Sequence, residues 1–225
     1  MTADRPAPRR RIPAAERRKL ILDAALDVFA AGGYQETTLD EVAERAGVSK
    51  ALIYEHFSSK RDLYREILER WVGELLGSIL AAATAAGERS EDRLVGGLDG
   101  FLAFVEERRD AWRLLIRHRA SDDVSDTWER LFSEVARIIG AMMAPEMPRS
   151  SLPEGASFDL VLDATSRQLM GAVTAIANWW DENREVPRDQ VLAMVMEFAW
   201  VGMERAAAGE RWSPAQRLGS DSGSG

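Results

Sequence analysis

Apolar residues recur at three- and four-residue spacing along almost the whole chain of 225 residues, and no stretch shows the two-residue alternation of a half-buried strand. The first periodic run covers about 14–31. Ile21, Ala25 and Val28 recur along it with Leu22, Leu26 and Phe29, and Gly32-Gly33 ends it. Thr38 then precedes Leu39-Asp40-Glu41, an order in which the hydroxyl accepts from the Glu41 amide while the Glu41 carboxylate reaches back, a capping box. In the short helix that follows, Val42, Ala43 and Ala46 face inward and Gly47 breaks it. Ser49 caps a third helix running to His56 or Phe57. A fourth starts near Ser59. Its stripe of Leu63, Ile67 and Trp71, with Leu68, Leu75 and Ile79, is long enough to leave one domain and enter the next. Beyond it, helical spacing covers 94–119, 124–143, 158–182 and 188–208, as in Trp128, Leu131, Phe132, Val135, Ile138, Ile139 and Met142. Both ends lack such spacing: residues 2–13 read as a disordered Arg/Pro arm and 219–225 as a solvated Gly/Ser tail.

Composition narrows the chemistry. Without cysteine there is no disulfide framework, thiol nucleophile or cysteine-held metal, and two histidines, His56 and His118, leave little for any other metal site. No cofactor or metal is expected. No apolar run approaches the roughly 18 to 20 residues of a membrane span, and the Arg-rich start lacks the apolar region of a signal peptide. The expected setting is the cytoplasm, away from membranes. The net charge of -8 is unevenly spread: residues 1–70 carry 13 Lys+Arg against 12 Asp+Glu, while 71–225 carry 16 against 25. All three lysines lie in the first part and all seven tryptophans in the second.

Two short helices joined by a tight glycine turn make a helix-turn-helix, whose second helix can lie in the major groove of DNA. The string Thr37-Thr38-Leu39-Asp40-Glu41-Val42-Ala43-Glu44-Arg45-Ala46-Gly47-Val48-Ser49-Lys50-Ala51-Leu52-Ile53-Tyr54-Glu55-His56-Phe57-Ser58-Ser59-Lys60 sharpens that pattern. It resembles the TetR/AcrR family of bacterial transcriptional regulators over residues 16–65. The resemblance implies an all-α fold in four parts: a basic arm (1–13), a three-helix DNA-binding domain (14–60), a helical effector-binding and dimerisation domain (61–212) and a tail (213–225).

Val42, Ala43, Val48, Ile53 and Phe57 are the positions that hold such helices together. Thr38 and Ser49 stand at helix N-termini, where a hydroxyl, free amides and the helix dipole favour a phosphate. Lys50, Tyr54, His56 and Lys60 resemble the family's DNA-contacting residues, the lysines and His56 toward phosphates and Lys50 also within reach of a base edge. Ala51 and Leu52 stand where Gly-Thr is frequent and offer no hydrogen bonds, which implies apolar readout such as thymine methyls. Glu55 either accepts from a cytosine amino group or points away, and the second is the expectation. Arg9, Arg10 and Arg11 either follow the DNA backbone or minor groove or serve as a solubilising tail.

Such a domain reads too few base pairs alone, so a homodimer on a palindromic operator is expected. The resemblance implies that the last two helices form the interface, with Leu169, Val173, Ile176 and Trp180 on one and Leu192, Val195, Ala199 and Gly202 on the other. It also implies a mostly apolar effector chamber between. Candidate lining residues are Trp71, Phe101, Phe104, Trp112, Arg113, Arg117, Trp128, Arg167 and Gln168. Arg113, Arg117 and His118 either meet an anionic head group or solvate the surface, the latter being expected. The expected function is repression relieved by a small molecule; a helical binding module without operator recognition is the alternative. No enzyme is expected, since the chain has no phosphate loop, no G-x-S-x-G, no H-E-x-x-H and no plausible triad.

Overall fold

A computed structural model of the chain describes residues 13–117, 125–147, 152, 155 and 157–207. Among them the regular elements are nine α-helices and one 3-10 turn: α1 (Ala14–Gly32), α2 (Leu39–Ala46), α3 (Lys50–His56), α4 (Lys60–Ala86), α5 (Ser90–Glu107), α6 (Arg109–Arg117), α7 (Ser125–Met143), a turn at Ala144–Glu146, α8 (Phe158–Glu182) and α9 (Arg188–Ala207). The chain divides into two compact units. One holds residues 1–74 and 108–129, the other 75–107 and 130–225, so the boundary falls inside α4. The sequence pattern divides the chain earlier, at residue 60.

In the first unit α1 packs on α2 and α6. Its core joins Ile21 and Phe29 of α1 to Val42, Ile53, Phe57, Leu63 and Ile67, all buried. Each such side chain contributes roughly 1.5 to 3 kcal/mol by leaving water. Tyr64 meets Phe29 edge-on at 5.2 Å between ring centroids and Tyr34 at 4.8 Å, fixing the start of α4 against α1. Burial pushes the Tyr64 phenol well above its ordinary pKa, so it stays neutral.

In the second unit α9 packs on α5 and α8. The Trp180 indole donates to the Val186 carbonyl at 2.7 Å, closing the turn between α8 and α9. Arg188 at the start of α9 pairs with Asp99 and Glu106 of α5, each at 3.1 Å. The second half of α4 meets α5 through small residues: a Cβ on Gly100 would lie 2.6 Å from the Ser78 carbonyl, and one on Gly96 2.6 Å from that of Ala82.

Two sequence expectations change here. The run 94–119 is two helices, because α5 begins at Ser90 and the chain breaks at Arg108. Phe101, Leu102, Phe104 and Val105 of α5 are buried in the second unit and Ala111, Trp112, Leu114 and Leu115 of α6 in the first, two stripes that periodicity runs together. Half of the expected interface stripe also turns inward. Val173, Trp180, Val195 and Ala199 are buried within the single chain, packed by α5, α8 and α9 themselves. They are core residues rather than an open face. Leu169, Ile176 and Leu192 are half-buried, and Gly202 lies in α9 with its surroundings outside the description.

Candidate nucleic-acid interface

The site starts from local capping. Thr38 Oγ1 accepts from the Glu41 amide at 3.3 Å, and its own amide and hydroxyl donate to Glu41 Oε2 at 2.6 and 2.9 Å. These two bonds from Thr38 hold the Glu41 carboxyl below its ordinary pKa. At the other end Gly47 adopts φ 65°, a left-handed conformation that a side chain disfavours. The Gly47 amide then donates to Glu44 and the Val48 amide to Ala43, closing α2 and aiming the chain into α3. Ser49 Oγ accepts from the Leu52 amide at 3.2 Å.

Ile53 and Phe57 bury one side of α3, which turns Lys50, Ala51, Tyr54 and Glu55 outward. Tyr54 is 52% exposed, so its ring and hydroxyl are both open to a partner on this face. Leu52 is half-buried beside this face. Glu55 is exposed one helical turn from Ala51 and shares its face.

Three cations and two carboxylates organise the surroundings. Lys50 Nζ bonds Asp40 Oδ2 of α2 at 2.7 Å, an ion pair that raises the lysine pKa. Lys60 donates to the Gln35 carbonyl at 3.2 Å and lies 4.6 Å from the Tyr34 ring centre. Arg18 of α1 donates to the last carbonyl of α3, that of His56, at 3.1 Å, pairs with Glu66 and stacks 4.6 Å over Phe57.

Two of the expected DNA contacts sit differently from their reading. Among the described residues His56 Nε2 has no hydrogen-bond partner and is buried, so that edge of the ring is closed to a phosphate. Thr38 has both its donors taken by Glu41. Lys50, Ala51 and Tyr54 do share one outward face. Sequence reasoning passed over Arg18 and Asp40, whose partners lie on other helices.

The candidate effector residues are dispersed. Trp71 and Trp112 are buried in the first unit, Phe101 and Phe104 in the second. Arg113 lines a small cleft of about 340 Å³ in the first unit with Asp27, Arg45 and Asp110. Arg167 and Gln168 are exposed on α8, Arg167 pairing with Asp163 at 2.9 Å. Arg117 and Trp128 belong to α6 and α7 but their side chains, like His118, lie outside the described residues. The open face of α8 and α9 is instead Gly171, Ala175 and Trp179 with Met194, Phe198 and Val201; Phe198 is 71% exposed.

A glycine-turned helix pair with a buried inner side and an outward Lys-Ala-Tyr face defines a helix-turn-helix DNA-binding protein. Residues 21–67 match the family described as bacterial regulatory proteins, tetR family, and residues 90–202 match the tetracyclin repressor-like C-terminal domain. The HTH-type transcriptional activator FasR of Mycolicibacterium smegmatis is 30% identical over 199 residues, 86% of this chain and 85% of FasR. Among solved structures, a TetR-like transcriptional regulator from Rhodococcus sp. RHA1 aligns with TM-score 0.68 at 25% identity over 86% of this chain and 99% of its own. FadR of Bacillus subtilis, solved with stearoyl-CoA, shares the fold at TM-score 0.66 and 14% identity over 85% of this chain and 98% of its own. This chain belongs to the TetR family of DNA-binding transcriptional regulators.

Proposed function

We propose that the protein is a homodimeric, sequence-specific operator-binding regulator whose affinity for DNA is altered by a mostly apolar small molecule. The observation that carries this reading is the outward face of α3, where Lys50, Ala51 and Tyr54 stand clear of the core on a helix fixed by caps and by Arg18. Lys50 and Lys60 then approach phosphates, Ser49 and Tyr54 add positioning contacts, and Ala51 with Leu52 offers apolar surface to thymine methyls. The two half-sites of a palindrome need two copies, and the exposed face of α8 and α9 suits a second copy: Gly171 and Ala175 permit close approach while Trp179, Met194, Phe198 and Val201 supply apolar area. The protein acts in the cytoplasm, where its operator is.

Lys50→Ala and Tyr54→Ala test the assignment directly. Each is expected to weaken operator binding by roughly five- to 150-fold, a loss of about 1 to 3 kcal/mol, while sedimentation still shows a dimer; unchanged binding by both variants would sink it. For the effector, stearoyl-CoA is the first probe because a protein of the same fold was solved with it. A ligand shifts DNA affinity only through its different affinities for the bound and released states.

Repression, with the operator-bound dimer blocking transcription and the effector releasing it, is the primary reading. Activation is the second, favoured by the name of FasR, which aligns over 86% of this chain. Transcription from a promoter carrying the operator, with and without the protein, separates them by the sign of the change.

A further inference from the structure

Two of the anion-binding positions around α2 and α3, Thr38 and Lys50, are filled by the chain's own carboxylates. Glu41 takes both donors of Thr38, and Asp40 takes the Lys50 ammonium at 2.7 Å across ten residues of sequence. Both members of the Lys50–Asp40 pair are substantially exposed, with side chains 46% and 67% accessible, so the pair lies on the surface that the proposed function gives to DNA. Asp40 sits in the first turn of α2, where the helix dipole steadies an anion, and the Gly47 turn fixes its spacing from Lys50.

We propose that Asp40 is an intramolecular stand-in for a DNA phosphate: it holds Lys50 in the free protein and gives it up on binding, and so sets the strength and the salt dependence of DNA association. The inference rests on the reading of α3 as the recognition helix. A lysine that moves from a carboxylate to a phosphate exchanges one ion pair for another. The phosphate releases a condensed cation, but the freed Asp40 attracts one from solution, so the net ion release at Lys50 is close to nil. Removing the Asp40 charge leaves the release uncompensated and deletes a like charge facing the backbone.

The test is an anisotropy titration of the full chain against a fluorescein-labelled random-sequence duplex of about 30 base pairs, at several salt concentrations between about 50 and 200 mM. Asp40→Asn is expected to bind roughly fivefold tighter at about 100 mM salt, the combined effect of two exposed pairs in a dimer. Its log-log salt slope is expected to steepen by about two, one per subunit. Asp40→Glu, which keeps the charge, is expected to behave like the wild type, and the gain from Asp40→Asn is expected to shrink on a Lys50→Ala background. If the pair merely staples α2 to α3, Asp40→Asn melts earlier and binds DNA more weakly with an unaltered slope, which overturns the proposal. An effect of Asp40→Glu equal to that of Asp40→Asn also overturns it. Wild-type protein that binds no duplex at all would instead remove the DNA-binding reading, and the inference with it.

Discussion

Arg18 shows how one side chain places a functional helix. Its guanidinium caps the C-terminal carbonyl of α3, pairs with Glu66 of α4 and covers the Phe57 ring, so three helices meet on one residue. Arg18→Ala is expected to lower stability by about 1 to 2 kcal/mol and to weaken DNA binding, both read by denaturant titration and anisotropy; Arg18→Lys keeps the charge but not the fork, and is expected to recover only part of each. Two carboxylates tie stability to pH. Arg65 and the Ser58 amide hold Asp62 below its ordinary pKa, as the Thr38 bonds hold Glu41. A folded pKa below the unfolded one gives stability that is complete above the ordinary carboxylate range and is lost as pH falls through the folded value. Melting temperature should therefore fall more steeply on acidification in the wild type than in a Glu41→Gln/Asp62→Asn variant, and parallel curves would contradict this. The capping box was readable because both partners lie within four residues. The Lys50–Asp40 and Arg18–His56 contacts were not, since nothing in a linear pattern says which surface charges meet across a turn.

Among elements, the two glycines that matter do so for different reasons. Gly47 has open space around its missing Cβ, so Gly47→Ala costs conformational strain alone, about 1 to 2 kcal/mol for a left-handed residue. Gly100 has an ordinary helical conformation but no room. Gly100→Ala drives a methyl into the Ser78 carbonyl and is expected to cost about 1 to 3 kcal/mol by forcing α4 and α5 apart. Thermal melts of the two variants check both values, and a neutral Gly100→Ala would contradict the close packing. Helix starts and stops in the first 86 residues were legible because capping residues and glycines punctuate them. The break at Arg108 was hidden, because the charged stretch Glu106-Glu107-Arg108-Arg109 is as compatible with a helix surface as with its end. Periodicity also cannot say which of two apolar stripes on α9 turns inward: Val195 and Ala199 do, while Met194 and Phe198 remain outside.

For the whole molecule that distinction decides where a second copy would dock. Phe198→Glu places a charge on the most exposed apolar side chain among the described residues of α9, and is expected to give a monomer at micromolar concentration with greatly reduced operator affinity. A dimer that survives it, seen by sedimentation velocity, would move the interface elsewhere. The effector was the least legible feature, since aromatic spacing marks apolar faces without saying whether they enclose a void, and the candidates fall in both compact units. Everything proposed for this protein depends on DNA recognition by α3, which selection of bound sequences from a random duplex library, with wild-type protein and Tyr54→Ala in parallel, puts to the test. The wild type is expected to enrich one palindrome with half-sites about a helical turn apart, and Tyr54→Ala to lose this enrichment. Recovery of no preferred sequence, or of the same sequence with both proteins, would contradict it.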